Sequence, residues 1–429
     1  MRRTAILLFM LLSTVATFAQ GSNASAEMKL SPAEQAIAQA TKLMDKNAKD
    51  FEAYNALALA LSRRARETSD VKFYTQAEEA LQKSFELSPD NFDGKRIHVW
   101  LLLGKHEFAA ALEEAKKLNK KMPDDVMVYG FLTDASVELG NYQDAEVAAQ
   151  WMLDLRPANL PGLTRAAYLR ELYGDTEGAL ELMNMAYQST PPSEAEDGAW
   201  ILTQMAHLKL ATGKTEEAET LQQQALVKFP GYHYALGNLA KVRIAQGRYE
   251  EAVSLLQQRY QAAPHAENLY DLAEALELAG HAGEARKTFA EFETKSLLES
   301  VRADNSNREL IFYYADHAHQ PAKALDVARQ EYARRHDVYT LDAYAWALHV
   351  NGQDAEARKH IDNALAVGIR DAKLLRHAGE IVLQLGDRAA AERYLQESAS
   401  LHALGSEQAR IALAALTRSE ADKQRRLHE

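Results

Sequence analysis

An all-helical solenoid of about ten hairpins is the fold class this sequence predicts, and three observations predict it. Alanine and leucine dominate a chain of 429 residues in which glycine (20) and proline (10) are sparse and 26% of residues are charged, a composition that favours helix over sheet. Apolar residues recur three and four positions apart within each segment, and strand-like alternation is absent. The chain also repeats itself: "ELGNYQDAEVAAQWMLDLRP", "ELYGDTEGALELMNMAYQSTP", "LATGKTEEAETLQQQALVKFP" and "IAQGRYEEAVSLLQQRYQAAP" each carry a glycine, an alanine five residues on, and a proline twelve beyond that.

The first element, residues 1–19, reads as an export signal. Arg2 and Arg3 supply its positive end, and "AILLFMLL" is an apolar run too short to span a bilayer. Thr17 and Ala19 suit cleavage before Gln20, and "ASA" at 24–26 is a second candidate. Removing residues 1–19 takes away two positive charges and no acids, so the formal charge moves from -12 to -14. An acidic mature chain is a poor general partner for nucleic acid or anionic lipid. No later stretch has the apolar length to cross a membrane, so the expectation is a protein exported beyond the inner membrane, periplasmic or secreted, with the signal style of a bacterium. The absence of cysteine removes disulfides, a thiol nucleophile, Cys-ligated zinc and an acylated lipoprotein cysteine.

Residues 20–50 are expected to hold a linker and a leading helix, and residues 51–405 the array. Its template alanines are Ala145, Ala179, Ala218, Ala252, Ala285, Ala324, Ala357 and Ala391, spaced by 34, 39, 34, 33, 39, 33 and 34 residues. Glycine supplies a left-handed cap between two helices, alanine lets them approach, and proline closes the second helix. Each hairpin then buries its remaining apolar face by stacking on its neighbours. The first repeat carries a longer connection, "SRRARETSDVKFY", while "PPSEAEDG" and "SVRADNSN" are insertions at corners between repeats. Residues 406–429 are polar on one face and are expected to form a capping helix.

The period and the residues Tyr129, Leu132, Tyr142, Ala145 and Pro157 resemble the tetratricopeptide repeat. "GYHYALGNLAKVRIAQGRYEEA" and "DVYTLDAYAWAL" also look like exported bacterial proteins built of that repeat. The resemblance implies a right-handed superhelix whose concave face is lined by positions 2, 5, 9, 12 and 13 of each first helix. Position 9 reads Asp134, Tyr168, His207, Lys241, Glu274, Tyr313, Trp346 and Glu380. Adding positions 5 and 12 brings Tyr270, Glu309, Asp342, Glu277, Asp316 and His349. The partner-binding groove expected from this register is Tyr270, Glu274, Glu309, Tyr313, Asp316, Asp342, Trp346 and His349, with Trp346 beside Tyr313. Aromatic faces among carboxylates suit a protein or peptide segment with apolar anchors and basic flanks. A second reading of Trp346 is that it fills a gap between adjacent first helices and touches no ligand. Trp200 and Tyr234, with His207 nearby, mark another aromatic group that reads more readily as core or rim packing.

Nothing in the chain points to catalysis. G-x-S-x-G, H-E-x-x-H, G-x-x-x-x-G-K-[ST] and a strand-borne G-x-G-x-x-G are absent, and the repeats leave no block for a catalytic domain. The expectation is a non-enzymatic scaffold without a cofactor. Six of the 14 histidines lie between His317 and His377, so a second reading is metal handling, with Asp316, His317, His319 and His349 as candidate ligands. The basic clamp of the chaperone-binding members of this family does not carry over, because Gly237, Asn238, Lys241, Tyr270 and Glu274 stand where its cations would be.

Overall fold

The computed structural model describes residues 30–68, 70–300, 305–401 and 406–428. The expected signal at 1–19 lies outside the described residues. Among those described, all regular structure is helical. A leading helix, α1 (Pro32–Lys46), begins at a capping box in which the Ser31 side chain accepts from Glu34 N while the Glu34 carboxylate accepts from Ser31 N. Ten helix pairs come after it. The first five are α2 (Phe51–Thr68) with α3 (Lys72–Leu87), α4 (Phe92–Gly104) with α5 (Phe108–Lys121), α6 (Val126–Glu138) with α7 (Tyr142–Leu155), α8 (Leu160–Leu172) with α9 (Thr176–Ser189), and α10 (Ala195–Ala211) with α11 (Thr215–Lys228). Next come α12 (His233–Ala245) with α13 (Tyr249–Ala262), and α14 (Ala266–Leu278) with α15 (Ala282–Glu299). In the eighth pair α16 (Asn307–Phe312) runs into a π-helical turn (Tyr313–His317) before α17 (Pro321–Tyr332). The last two are α18 (Val338–Val350) with α19 (Asp354–Ala366) and α20 (Ala372–Gln384) with α21 (Arg388–Ser400), and α22 (Ser406–His428) closes the array.

The template residues do what their chemistry requires. All eight template alanines are fully buried, where any larger side chain would force the paired helices apart. Gly140 holds φ at 75° between α6 and α7, and the same left-handed place is held without glycine by His106 (φ 59°) and His319 (φ 51°). The helices beside the two corners are longer: α10 has 17 residues and α15 has 18, against 13 in α8 and α12, and residues 195–198 of the first insertion begin α10. At the far end α22 lays Ala409 and Leu416 over Val382, Ala391 and Leu395.

Successive turns of the solenoid touch one another. The α17–α18 junction meets the α6–α7 corner, six pairs earlier in the chain: His336 N donates to Glu138 O at 2.9 Å and Val338 N donates to Tyr142 Oη at 2.9 Å. One pair further along, a Cβ added to Gly174 would lie 2.6 Å from Gly368 O, so this contact admits no side chain. Leu169 and Leu172 share one apolar cluster with Val338, Leu341 and Ile369 across the seam. A second closure joins α2 to α10 and α12, where Arg66 pairs with Glu196 and with Asp197 (2.7 Å) and His233 Nε2 donates to Arg66 O at 3.2 Å.

Candidate functional site

The residues expected in the groove lie on α14, α16, the π-helical turn and α18. Trp346, on α18, is only 6% exposed. Its Nε1–H donates to Asp316 Oδ1 at 2.8 Å, and its ring stacks on His377 of α20 at 4.1 Å and 17°. The Arg376 guanidinium lies 5.1 Å from the indole centroid. Trp346, from α18, therefore bridges α20 and the π-helical turn after α16 as a packing element, and it is not an open anchor.

Tyr313 does not lie beside it. The Tyr313 ring stacks on Phe289 (5.3 Å) and meets Phe292 edge-on (5.7 Å), and its hydroxyl donates to Glu293 at 3.4 Å, so it faces α15. The cause is local. Ala318 N donates to Tyr313 O at 2.8 Å, a five-residue span that widens the helix by one residue and rotates the succeeding residues by about 100° relative to an α-helix. The small residue packed in this first helix is Ala315, with Leu310, Ile311 and Tyr314 buried around it. Counting from Ala315 turns Phe312 and Asp316 inward: Phe312 stacks on His377 at 5.8 Å and lies 3.3 Å beneath Lys373 Nζ, and Asp316 holds Trp346. Counting back from His319 puts Phe312 at the close-packing position instead.

Behind Trp346 is a buried polar chain. Arg376 can only donate, so its Nη2 contact of 2.8 Å makes His377 Nε2 an acceptor. The imidazole proton then sits on Nδ1, which donates to Asp342 Oδ1 at 2.7 Å. Burial, reinforced by Arg376 and Lys373, holds the His377 pKa well below its usual range. Burial also pushes the Asp342 carboxyl up to about 7, against the pull of Lys373 and Arg376. Asp342, expected in the open groove, is 5% exposed. Because its native pKa is raised, the folded state keeps a proton that the unfolded chain has lost, and stability falls as pH rises from about 4 to 7, by up to about 4 kcal/mol. Asp342→Asn should flatten that part of the stability profile, read as melting temperature between pH 4 and 8. An unchanged slope would show that Asp342 does not titrate there.

The other expected groove residues fall into separate contacts. Tyr270 is 4% exposed, and its hydroxyl donates to Glu274 at 2.9 Å. His317 lies 3.7 Å from Glu274 and 3.0 Å from Glu277. Burial works against its charge, but the Glu274 hydrogen bond and the acids nearby outweigh burial and raise its pKa. His349 Nδ1 is 2.5 Å from Asp354 of its own hairpin. Glu309 stands apart from these, near Arg308, Glu267 and Asp271; burial raises its carboxyl, Arg308 pulls it back, and the two acids push it up again. The candidate metal ligands do not converge: Asp316 accepts from Trp346, His317 and His349 answer different acids, and His319 occupies the left-handed turn. Among the described residues no group of three or more His, Asp or Glu side chains could hold a metal ion. Trp200 and Tyr234 are partly buried and packed into the core around Tyr232, while His207 Nε2 lies 2.8 Å from Glu171.

A surface aromatic pair has no counterpart among the residues expected from sequence. Trp151 is 47% exposed on α7 and stacks on Tyr129 of α6 at 6.0 Å and 17°, with Val147 exposed one turn earlier. Its signal is the spacing: Val147 and Trp151 share the face opposite the buried Ala145, Ala149 and Met152.

Comparison with known proteins bears on the fold. Residues 209–265 match the family model described as tetratricopeptide repeat. The matched residues are tetratricopeptide repeats, and the hairpins before and after them continue the same solenoid. The structure of the human IFIT1 dimer with m7Gppp-AAAA is similar at 14% identity, covering 84% of each chain with a TM-score of 0.50. PilW, a type IV pilus biogenesis factor, matches at 13% identity over 47% of this chain and 92% of its own, with a TM-score of 0.41. Likeness at such identity concerns the fold alone. No curated protein sequence matches the chain. A solenoid of these repeats is a protein-interaction scaffold fold, and among the described residues no helix is long and apolar enough to cross a membrane.

Proposed function

We propose that the chain is a non-catalytic, exported scaffold that holds a basic segment of another protein along the inner face between α14 and α18. The observation that carries the reading is the excess of acid there. Glu267, Asp271, Glu274, Glu277, Glu309 and Asp316 are answered mainly by Arg259, which pairs with Asp271 and lies 3.4 Å from Glu267, by Arg308 and by His317. A lysine or arginine brought by a partner would relieve the repulsion that Glu267 and Asp271 exert on Glu309, and electrostatic complementarity of this kind selects partners and speeds association. The half-exposed Glu274 and Glu277 side chains offer the first contact. Export rests on Arg2, Arg3 and the apolar run after them, and Thr17 and Ala19 suit a mature N-terminus near Gln20.

The test is recovery of partners from the native envelope fraction by the wild-type chain and by Glu274→Gln/Glu277→Gln, which keeps an acceptor for Tyr270 and His317, with mass spectrometry of the native N-terminus alongside. The expected result is a protein captured by the wild type and bound at least tenfold more weakly by the double variant, whose helical content and melting temperature stay close to wild type. Equal capture by both chains would rule out this face. The exposed Trp151, backed by the half-buried Tyr129, favours a second reading, docking on α6 and α7, in which Trp151→Ala alone loses the partner.

A further inference from the structure

Between α4, α6 and α8 lies a cavity of about 270 Å³, separate from the acidic inner face between α14 and α18. Leu103, Phe108 and Val137 form apolar walls, and His106, Thr133, Asp134, Glu138, Arg165 and Tyr168 supply its polar lining. Asp134 is already held by Arg165, Nε to Oδ1 at 2.7 Å and Nη2 to Oδ2 at 2.5 Å. Glu138 is not so served. Its Oε2 is buried without a hydrogen bond, and the nearest cation, Arg335 Nη2, stands off at 3.5 Å. Arg335 spends its Nε on Asp337 and Thr340, each at 3.2 Å, and its guanidinium lies over the Phe108 ring at 5.5 Å.

We propose that this cavity is a binding site for a primary ammonium group carried on an aliphatic stem, as in a lysine side chain. Charge favours a cation: Arg165, Arg335 and Arg308, the last shared with Glu309, confront Asp134, Glu138, Glu331 and Asp337, so that carboxylates outnumber guanidinium groups. Burial, opposed by Arg335 and reinforced by Asp337, raises the Glu138 carboxyl, and an incoming cation reverses that penalty. Shape favours ammonium over guanidinium. The buried oxygen without a hydrogen bond, Glu138 Oε2, already faces the Arg335 guanidinium at 3.5 Å, so a compact ammonium that needs one acceptor fits beside it more readily than a second planar fork. The walls of leucine, phenylalanine and valine cover the methylenes of the stem while the charge reaches Glu138.

The source of the ammonium is either a lysine of a protein partner or a free diamine, and calorimetric titration of the mature chain separates them. Lysine capped at both ends as its acetyl and methylamide derivative is the probe, with equally capped norleucine and arginine as controls and cadaverine as the diamine. Capped lysine is expected to bind at least tenfold more tightly than either control. Glu138→Gln should weaken it at least tenfold, and Leu103→Trp, which fills the cavity and leaves every charge in place, should abolish it. Melting temperatures of both variants are read alongside, so that Leu103→Trp decides the matter if Glu138→Gln loosens the fold. Cadaverine binding tenfold more tightly than capped lysine assigns the site to a diamine, and the reverse order assigns it to a protein lysine. The proposal is overturned if norleucine or arginine binds as well as lysine, if lysine binding survives in the folded Leu103→Trp variant, or if no saturable binding occurs.

Discussion

Arg335→Met is expected to lower the stability of the cooperative unit around α16–α18 by about 3–5 kcal/mol, the loss typical when one partner of a buried ion network is removed. Arg335 is 5% exposed, and two of its carboxylate neighbours, Glu331 and Asp337, are 2% and 3% exposed. It lies 3.5 Å from Glu331, 3.2 Å from Asp337 and 3.5 Å from Glu138 across the seam. Methionine fills much of the same volume, so the charge is the principal loss. Asp337 keeps Arg308 at 3.4 Å, but Glu331 and Glu138 are left facing a thioether. The effect should be readable in two places: in the urea midpoint of that unit, and in faster hydrogen exchange at the His336 and Val338 amides, which donate across the seam to Glu138 O and Tyr142 Oη. Unchanged exchange at both amides in a chain that still melts at the wild-type temperature would mean that the seam is held by its apolar contacts alone.

Trp346→Ala is expected to cost a similarly large amount, about 3–5 kcal/mol, as for other buried aromatics cut back to alanine. The substitution empties the space between the π-helical turn, α18 and α20, strands the Asp316 carboxylate that accepts from the indole, and uncovers the stacked face of His377. Partner affinity measured on the same variant should change little wherever it remains folded, because the indole has almost no free surface to offer. A loss of affinity with unchanged melting temperature would return Trp346 to the role of binding anchor.

The repeat architecture is legible in the sequence because it is written at short range. Each glycine, alanine and proline of the template acts on its own hairpin or the next one, and the fully buried alanines from Ala145 to Ala391 need nothing beyond the period to be placed. The juxtaposition of Glu274 and Glu277 on α14 is legible in the same way, since residues three apart share one helix face, where both meet His317. Tyr313 is misplaced by that register because counting back from His319 passes through a π turn, although Ala315, with Leu310 and Ile311 ahead of it, carries the sequence signal for the correct phase.

The sequence by itself therefore determined nearest-neighbour structure: which residues form each hairpin and which small residue sits where its helices cross. Only the tertiary structure decided that the solenoid closes on itself, that Glu138 meets Arg335 from 197 residues away in the chain, and that Asp342 and Trp346 are enclosed. The physical reason is that the superhelix accumulates a small rotation at every stacked pair. The meeting of one turn with the next depends on the sum of those rotations, and no single repeat carries the sum.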